Sequence, residues 1–197
     1  MKSRIIHNYD KGEIRKLLSE KRNQLSYSER ERYSSHITNT LLSLDDIANA
    51  KCVHCYKSFG AEVTTSVFIN ELLSRKKIIY VPVVNEDILL HAEINYQTQW
   101  KKDRFGIPTP IAPSLTVHEM RLEENDCIII PMLGYDSQCM RLGYGKGFYD
   151  KFLSATKGKK IGLAFSCQYY EIIPSDVHDI AMDIIITETG VFFHDLA

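Results

Sequence analysis

An α/β fold built on a largely parallel central sheet is predicted by three features of the sequence. Short apolar runs alternate with amphipathic stretches along the chain, as at Cys52–Phe59, Ile78–Val84 and Lys160–Phe165. The run Cys127-Ile-Ile-Ile130 is apolar throughout and closes on Pro131, the pattern of a strand covered on both faces. No repeat, low-complexity tract or Pro/Gly/Ser linker interrupts the 197 residues, so a single domain across 1–197 is expected.

From Lys11 to about Gln24, Ile14, Leu17 and Leu18 recur at helical spacing among Lys and Glu, which predicts an amphipathic helix. A second helix is expected after Ser26 or Ser28, running to about Leu44, with Ser28 and Glu31 spaced as a capping box. A strand follows over Cys52–Phe59, then a helix from about Thr65 to Arg75 capped by Thr64 or Thr65. Ile78–Val84, ending at Pro82 or shortly after, and Ile88–Ile94 predict two more strands. Trp100–Pro113, with Gly106 and its prolines, is expected to be irregular. After the Cys127–Ile130 strand come a loop to Gly145, a helix from about Lys146 to Ala155, and strands at Lys160–Phe165 and Met182–Thr187. This layering is Rossmann-like, and in such sheets ligands collect beyond the carboxyl ends of the strands.

Bulk properties exclude some classes of function. A formal net charge of -1 gives no electrostatic reason to expect nucleic acid or an anionic membrane as partner. Met1–Asp10 has no apolar core of a signal peptide, and no run approaches a membrane span. Five irregularly spaced cysteines argue against a disulfide framework, and a cytosolic setting is expected.

The most informative stretch is Arg141-Leu-Gly143-Tyr-Gly145-Lys-Gly147-Phe-Tyr-Asp150, placed between the apolar strand and a helix. Three alternating glycines leave backbone amides uncovered, and the following helix start adds unpaired N–H groups. Arg141 and Lys146 supply cations for the same anion. Lys146 is followed by Gly147 where a P-loop has Ser or Thr, and the long Pro131–Tyr144 connection does not fit a dinucleotide fingerprint. A loop built only to turn remains the plainer account. Asp150 lies in the first turn of the helix, where an acid suits the helix dipole or holds Mg²⁺ beside a phosphate. Asp183, next to Ile184–Ile186, is the natural second carboxylate unless strand alternation points it to solvent.

This glycine run, following Ile-Pro-Met-Leu-Gly-Tyr-Asp136, resembles the signature of the 5-formyltetrahydrofolate cyclo-ligase family. Lys11-Gly-Glu-Ile-Arg15, Phe59-Gly-Ala-Glu62, Gly106-Ile-Pro108, Ala164-Phe165 with Gln168, and His178-Asp-Ile-Ala-Met-Asp183 extend the likeness in order across the chain. The resemblance implies ATP- and Mg²⁺-dependent ring closure of 5-formyltetrahydrofolate to 5,10-methenyltetrahydrofolate. It implies ATP contacts from Lys11, Arg15, Arg141, Leu142 and the Gly143–Tyr149 loop, with Arg141 and Lys146 acting on the transferring phosphoryl group. Glu62, Phe105 and Tyr144, Gly145, Lys146, Gly147 and Phe148 would meet the folate, and Asp150 and Asp183 would hold Mg²⁺. Lys146 and Phe148 stand at positions that vary in the family, and Thr109 where an acid is common. Lys11 and Arg15 are one turn apart and could reach one phosphate together, although a solvated helix face has the same pattern.

Other readings of the loop are a sugar-phosphate isomerase, an acyl-CoA-type transferase, or a folate- or nucleotide-binding protein without turnover. Cys52-Val-His-Cys55 is not expected to bind metal, because residues three apart on a strand face opposite ways. The seven histidines are expected at the surface or as satisfied polar groups, with His178–Asp179 beside Asp183.

Overall fold

The computed structural model describes residues 10–85, 88–103, 106–111 and 122–194; the side chains of Asn85 and Ile88 are not included. Helix α1 (Lys11–Asn23) starts at a capping box in which Asp10 and Glu13 satisfy each other's backbone N–H groups. Helix α2 (Tyr27–Leu42) starts with Ser26 and Glu29 as its box, not Ser28 and Glu31. Glu31 instead accepts a hydrogen bond from the Thr64 hydroxyl. A short helix, α3 (Asp45–Asn49), leads into strand β1 (Cys52–Cys55) and then α4 (Ser66–Ser74).

The β1 strand is shorter than its apolar run. At Tyr56 the chain leaves the sheet, and that residue ties the next loop down: its hydroxyl donates to the Val63 carbonyl, and its own carbonyl accepts from the Thr65 hydroxyl. Strands β2 (Ile78–Asn85) and β3 (Ile88–Ile94) form an antiparallel pair. The segment expected to be irregular contains a hairpin of β4 (Trp100–Lys102) and β5 (Pro108–Pro110).

Strand β6 (Cys127–Pro131) is buried throughout, as its sequence predicts. The connection after it contains a second small hairpin, β7 (Gly134–Tyr135) with β8 (Arg141–Leu142). Helix α5 (Phe148–Ser154) begins later than expected, because Gly147 caps it in the left-handed conformation at φ 68°. Strands β9 (Lys159–Leu163), β10 (Ile184–Thr187) and the unforeseen antiparallel edge strand β11 (Gly190–Phe193) complete the described fold.

The main sheet has seven strands in the order β11-β10-β9-β6-β1-β2-β3, and its five middle strands are parallel. One apolar cluster joins a face of the sheet to α2, α3 and α4; another joins the opposite face to α5. Cys52 and Cys55 fall in different clusters, so the two thiols diverge. Burial pushes the Cys52 thiol up to about 12, which leaves it an inert packing group.

One histidine expectation is corrected. His54 is fully buried against the Phe152 ring, its Nε2 lies 3.2 Å from Nδ1 of His91, and its own Nδ1 has no partner among the described residues. Burial keeps both imidazoles neutral, with His91 lowered to about 4.

Candidate active site

The strand order reverses between β1 and β6, since β2 and β3 lie on one side and β9 and β10 on the other. Parallel strands leave a crevice at such a point, just beyond their carboxyl ends. A cavity of about 530 Å³ opens there, lined by Tyr56 after β1, Pro82 in β2 and Pro131 at the end of β6.

Helix α1 lines one side. Ile14 and Leu18 bury against Leu142 and Ile173, which turns the face carrying Lys11 and Arg15 toward the cavity. Lys11 Nζ pairs with Asp179 at 2.5 Å and Asp176 at 2.6 Å. Partial burial works against the ammonium, but the two carboxylates outweigh it and raise its pKa overall. Burial likewise opposes ionisation of Asp179, yet Lys11 holds that carboxyl below its ordinary value. Arg15 Nε donates to the Gly143 carbonyl at 2.9 Å, fastening the glycine loop to the helix.

Arg141 is almost fully buried and donates from Nη2 to Asp150 Oδ1 at 2.8 Å. Its guanidinium lies over the Tyr149 ring, 5.6 Å from the centre, and its Nε has no partner among the described residues. The glycines have separate uses. A Cβ on Gly143 would stand 2.7 Å from Arg141 Nη1, and one on Gly145, at φ 93°, would stand 3.1 Å from Arg15 Cζ. Gly147 has open space around it and is required only for its positive φ. The first two glycines therefore admit the arginines that would receive an anion. Gly143→Ala and Gly145→Ala are expected to displace those guanidiniums and depress turnover, Gly143→Ala with little loss of melting temperature and Gly145→Ala with added strain from its positive φ. Gly147→Ala is expected to cost about 1–2 kcal/mol of stability from the left-handed backbone. Steady-state rates with thermal melts of the three variants would check this; a lower melting point with intact turnover for Gly143→Ala would contradict it.

Glu62 also lines the cavity and is 7% exposed. Its Oε1 accepts from the Tyr144 hydroxyl at 2.6 Å and its Oε2 from the Phe59 N–H at 3.1 Å. Burial raises the Glu62 pKa, and the Tyr144 bond, the Phe59 bond and the Arg22 charge only partly offset that. Leu142, Lys146, Phe148 and Tyr149 also line the cavity, whereas Phe105 lies outside the described residues.

Asp183 does not join this group. It sits just before β10, where its Oδ2 accepts from the Lys160 N–H at 2.7 Å and lies 3.7 Å from Lys160 Nζ. That is the amino edge of the sheet, opposite the cavity, so the expected pairing of Asp150 with Asp183 is not formed. The strand register decides this, because it sets Asp183 beside the start of β9. Sequence reasoning missed Asp176 and Asp179 as the partners of Lys11, and only tertiary structure brings them together. It also missed Arg22, which helical spacing from Arg15 would have placed on the same face. Lys57 was missed too: half-buried, with its ammonium pKa lowered by burial, it donates to Ser66 Oγ at 3.2 Å and lies 5.2 Å from the Trp100 ring centre.

A profile of the 5-formyltetrahydrofolate cyclo-ligase family matches residues 7–188. The chain is 31% identical over 182 residues to a 5-formyltetrahydrofolate cyclo-ligase of Haemophilus influenzae, covering 88% of this chain and 94% of that one. Against the mouse cyclo-ligase it is 28% identical over 192 residues, covering 92% and 95%. The solution structure of Aquifex aeolicus 5,10-methenyltetrahydrofolate synthetase superposes with a TM-score of 0.81 at 31% identity, covering 95% of this chain and 94% of that one. The corresponding synthetase from Mycoplasma pneumoniae gives 0.73 at 26% identity, covering 91% and 99%. With a cavity that gathers cations, a glycine loop and a buried carboxylate, and this likeness along nearly its whole length, the chain belongs to the 5-formyltetrahydrofolate cyclo-ligase family of carbon–nitrogen bond-forming ligases.

Proposed function

We propose that the chain uses ATP and Mg²⁺ to cyclise 5-formyltetrahydrofolate to 5,10-methenyltetrahydrofolate, releasing ADP and phosphate. The observation that carries this reading is one cavity lined by Lys11, Arg15, Arg141 and the glycine loop, with the buried Glu62 in the same wall and bonded to Tyr144 of that loop. Cations and loop amides suit a triphosphate, and a buried carboxylate suits the N–H groups of a pterin ring.

In this reaction the formyl oxygen attacks the γ-phosphorus and ADP leaves. The second folate nitrogen then attacks the formyl carbon and loses its proton. Phosphate departs with the former formyl oxygen, and the ring is closed. No side-chain nucleophile is needed, so the protein's part is alignment and charge stabilisation. Arg141 and Lys146 face the transferring group, while Lys11 and Arg15 hold the remaining phosphates. Asp150 fits a Mg²⁺ site because its carboxylate lines the cavity beside Arg141. Among the described residues no three acidic, histidine or cysteine side chains form a metal cage, so phosphate oxygens would complete the shell. When bound, the ion neutralises charge on the phosphates.

Mixing the protein with MgATP and 5-formyltetrahydrofolate and following methenyl absorbance tests the reading. Growth that requires both substrates is expected; binding of both without growth would leave a non-catalytic binding protein. The free cysteines accord with a reducing, cytoplasmic setting. Among the described residues no helix is long and apolar enough to cross a membrane.

A pH dependence follows from Glu62. The charged carboxylate is the form that accepts pterin N–H bonds, and burial raises its pKa above the usual 4.5. Folate affinity should therefore be full above that raised value and fall as the pH drops through it. Glu62→Gln should flatten this acid limb in a plot of kcat/KM for the folate against pH. A wild-type limb persisting unchanged in Glu62→Gln would assign the titration elsewhere.

A further inference from the structure

We propose that Arg22 is a positioning residue for the substrate end of the cavity, fixing the Tyr144 hydroxyl so that its proton points at Glu62. The inference rests on the assignment of Glu62 to the folate.

Arg22 lies in the last turn of α1 and is only 7% exposed, although arginine is ordinarily a surface residue. Its Nη1 donates to Tyr144 Oη at 3.1 Å, and its Cζ lies 5.9 Å from the centre of that ring. A guanidinium has donors and no acceptor. Tyr144 Oη must therefore accept from Arg22, which leaves its single hydrogen for Glu62 Oε1, 2.6 Å away. Without Arg22 that hydroxyl could rotate and present its lone pairs to the carboxylate.

Packing does not hold Tyr144, because its side chain is 46% exposed. The bonds to Arg22 and Glu62 fix it, and together they tie the glycine loop to α1 and to the β1–α4 connection. Glu62 is then clamped by Tyr144 on one oxygen and by the Phe59 N–H on the other. Each oxygen keeps lone-pair capacity for the N–H edge of a fused-ring substrate. Arg22 Nε is buried without a partner among the described residues, a placement that costs stability. Its use is polar rather than packing. Arg22's charge also favours the ionised form of Glu62 against the effect of burial.

The test is a double-mutant cycle of Arg22→Met and Tyr144→Phe, read as separate KM values for 5-formyltetrahydrofolate and ATP, with Arg22→Lys as the conservative variant. Each single change should raise the folate KM about tenfold, the size expected for losing one hydrogen bond to a charged group. The double variant should be no worse than either single, Arg22→Lys should recover part of the loss, and the KM for ATP should change far less than that for the folate. Additive effects, equal changes in both KM values, or a lower melting temperature with an unchanged folate KM would overturn the proposal. If Arg22→Met fails to fold, a normal folate KM in Tyr144→Phe is by itself sufficient to reject it. Absence of wild-type turnover would instead refute the proposed reaction, so the two failures are distinguishable.

Discussion

Arg141→Ala is expected to lower kcat by about a thousandfold, the scale on which an arginine facing a transferring phosphoryl group acts. The residue is held rigidly. Its guanidinium is buried, stacked over Tyr149, paired to Asp150 at 2.8 Å and passed by a glycine whose added Cβ would collide with it. Buried Nε, without a partner among the described residues, is further donor capacity next to the cavity. Arg141→Lys keeps the charge but loses the planar fork, so it should recover only part of the rate. Because the effect lies in the transition state, kcat should fall far more than the folate KM rises. Single-turnover rates at saturating MgATP and folate measure it. A change confined to the folate KM would remove Arg141 from phosphoryl transfer.

Asp150→Asn should raise the Mg²⁺ concentration needed for half-maximal rate by about a hundredfold or more, since even groups that only support a metal ligand alter affinity 10–100-fold. The substitution removes a charge at the cavity wall while keeping an oxygen that can accept from Arg141, so the fold should survive. Asp183→Asn is the informative contrast. An asparagine oxygen can still accept the Lys160 N–H bond, and the 3.7 Å partly exposed ion pair with Lys160 contributes little. Its Mg²⁺ dependence should match the wild type. A Mg²⁺ titration of turnover for both variants decides the matter: equal, large shifts would put Asp183 in the metal site after all.

Local chemistry explains which parts of the fold were legible. The β6 strand was readable because four apolar residues before a proline need covering on both faces, and α1 because its apolar positions keep helical spacing. For α2 the start after Ser26 was one of the two expected, but its capping box is Ser26 with Glu29 and not Ser28 with Glu31, because two overlapping Ser-x-x-Glu spacings compete and Glu31 is used by Thr64. The hairpins β4–β5 and β7–β8 escaped because pairs of two or three residues carry no periodic signal. The antiparallel edge strand β11 is short and half exposed, so its pattern is equally weak.

By itself, the sequence determined the α/β layering, the position of the glycine loop after a buried strand, and the family likeness that spans the chain. These depend on residue type and on neighbours a few positions away. Tertiary structure alone decided that Lys11 meets Asp176 and Asp179, that Arg22 reaches Tyr144, and that Asp183 faces the wrong edge of the sheet. The register of β9 on β10, between residues 23 positions apart, and the docking of α1 against Leu142, more than a hundred positions away, set those meetings, and both follow from burying apolar surface.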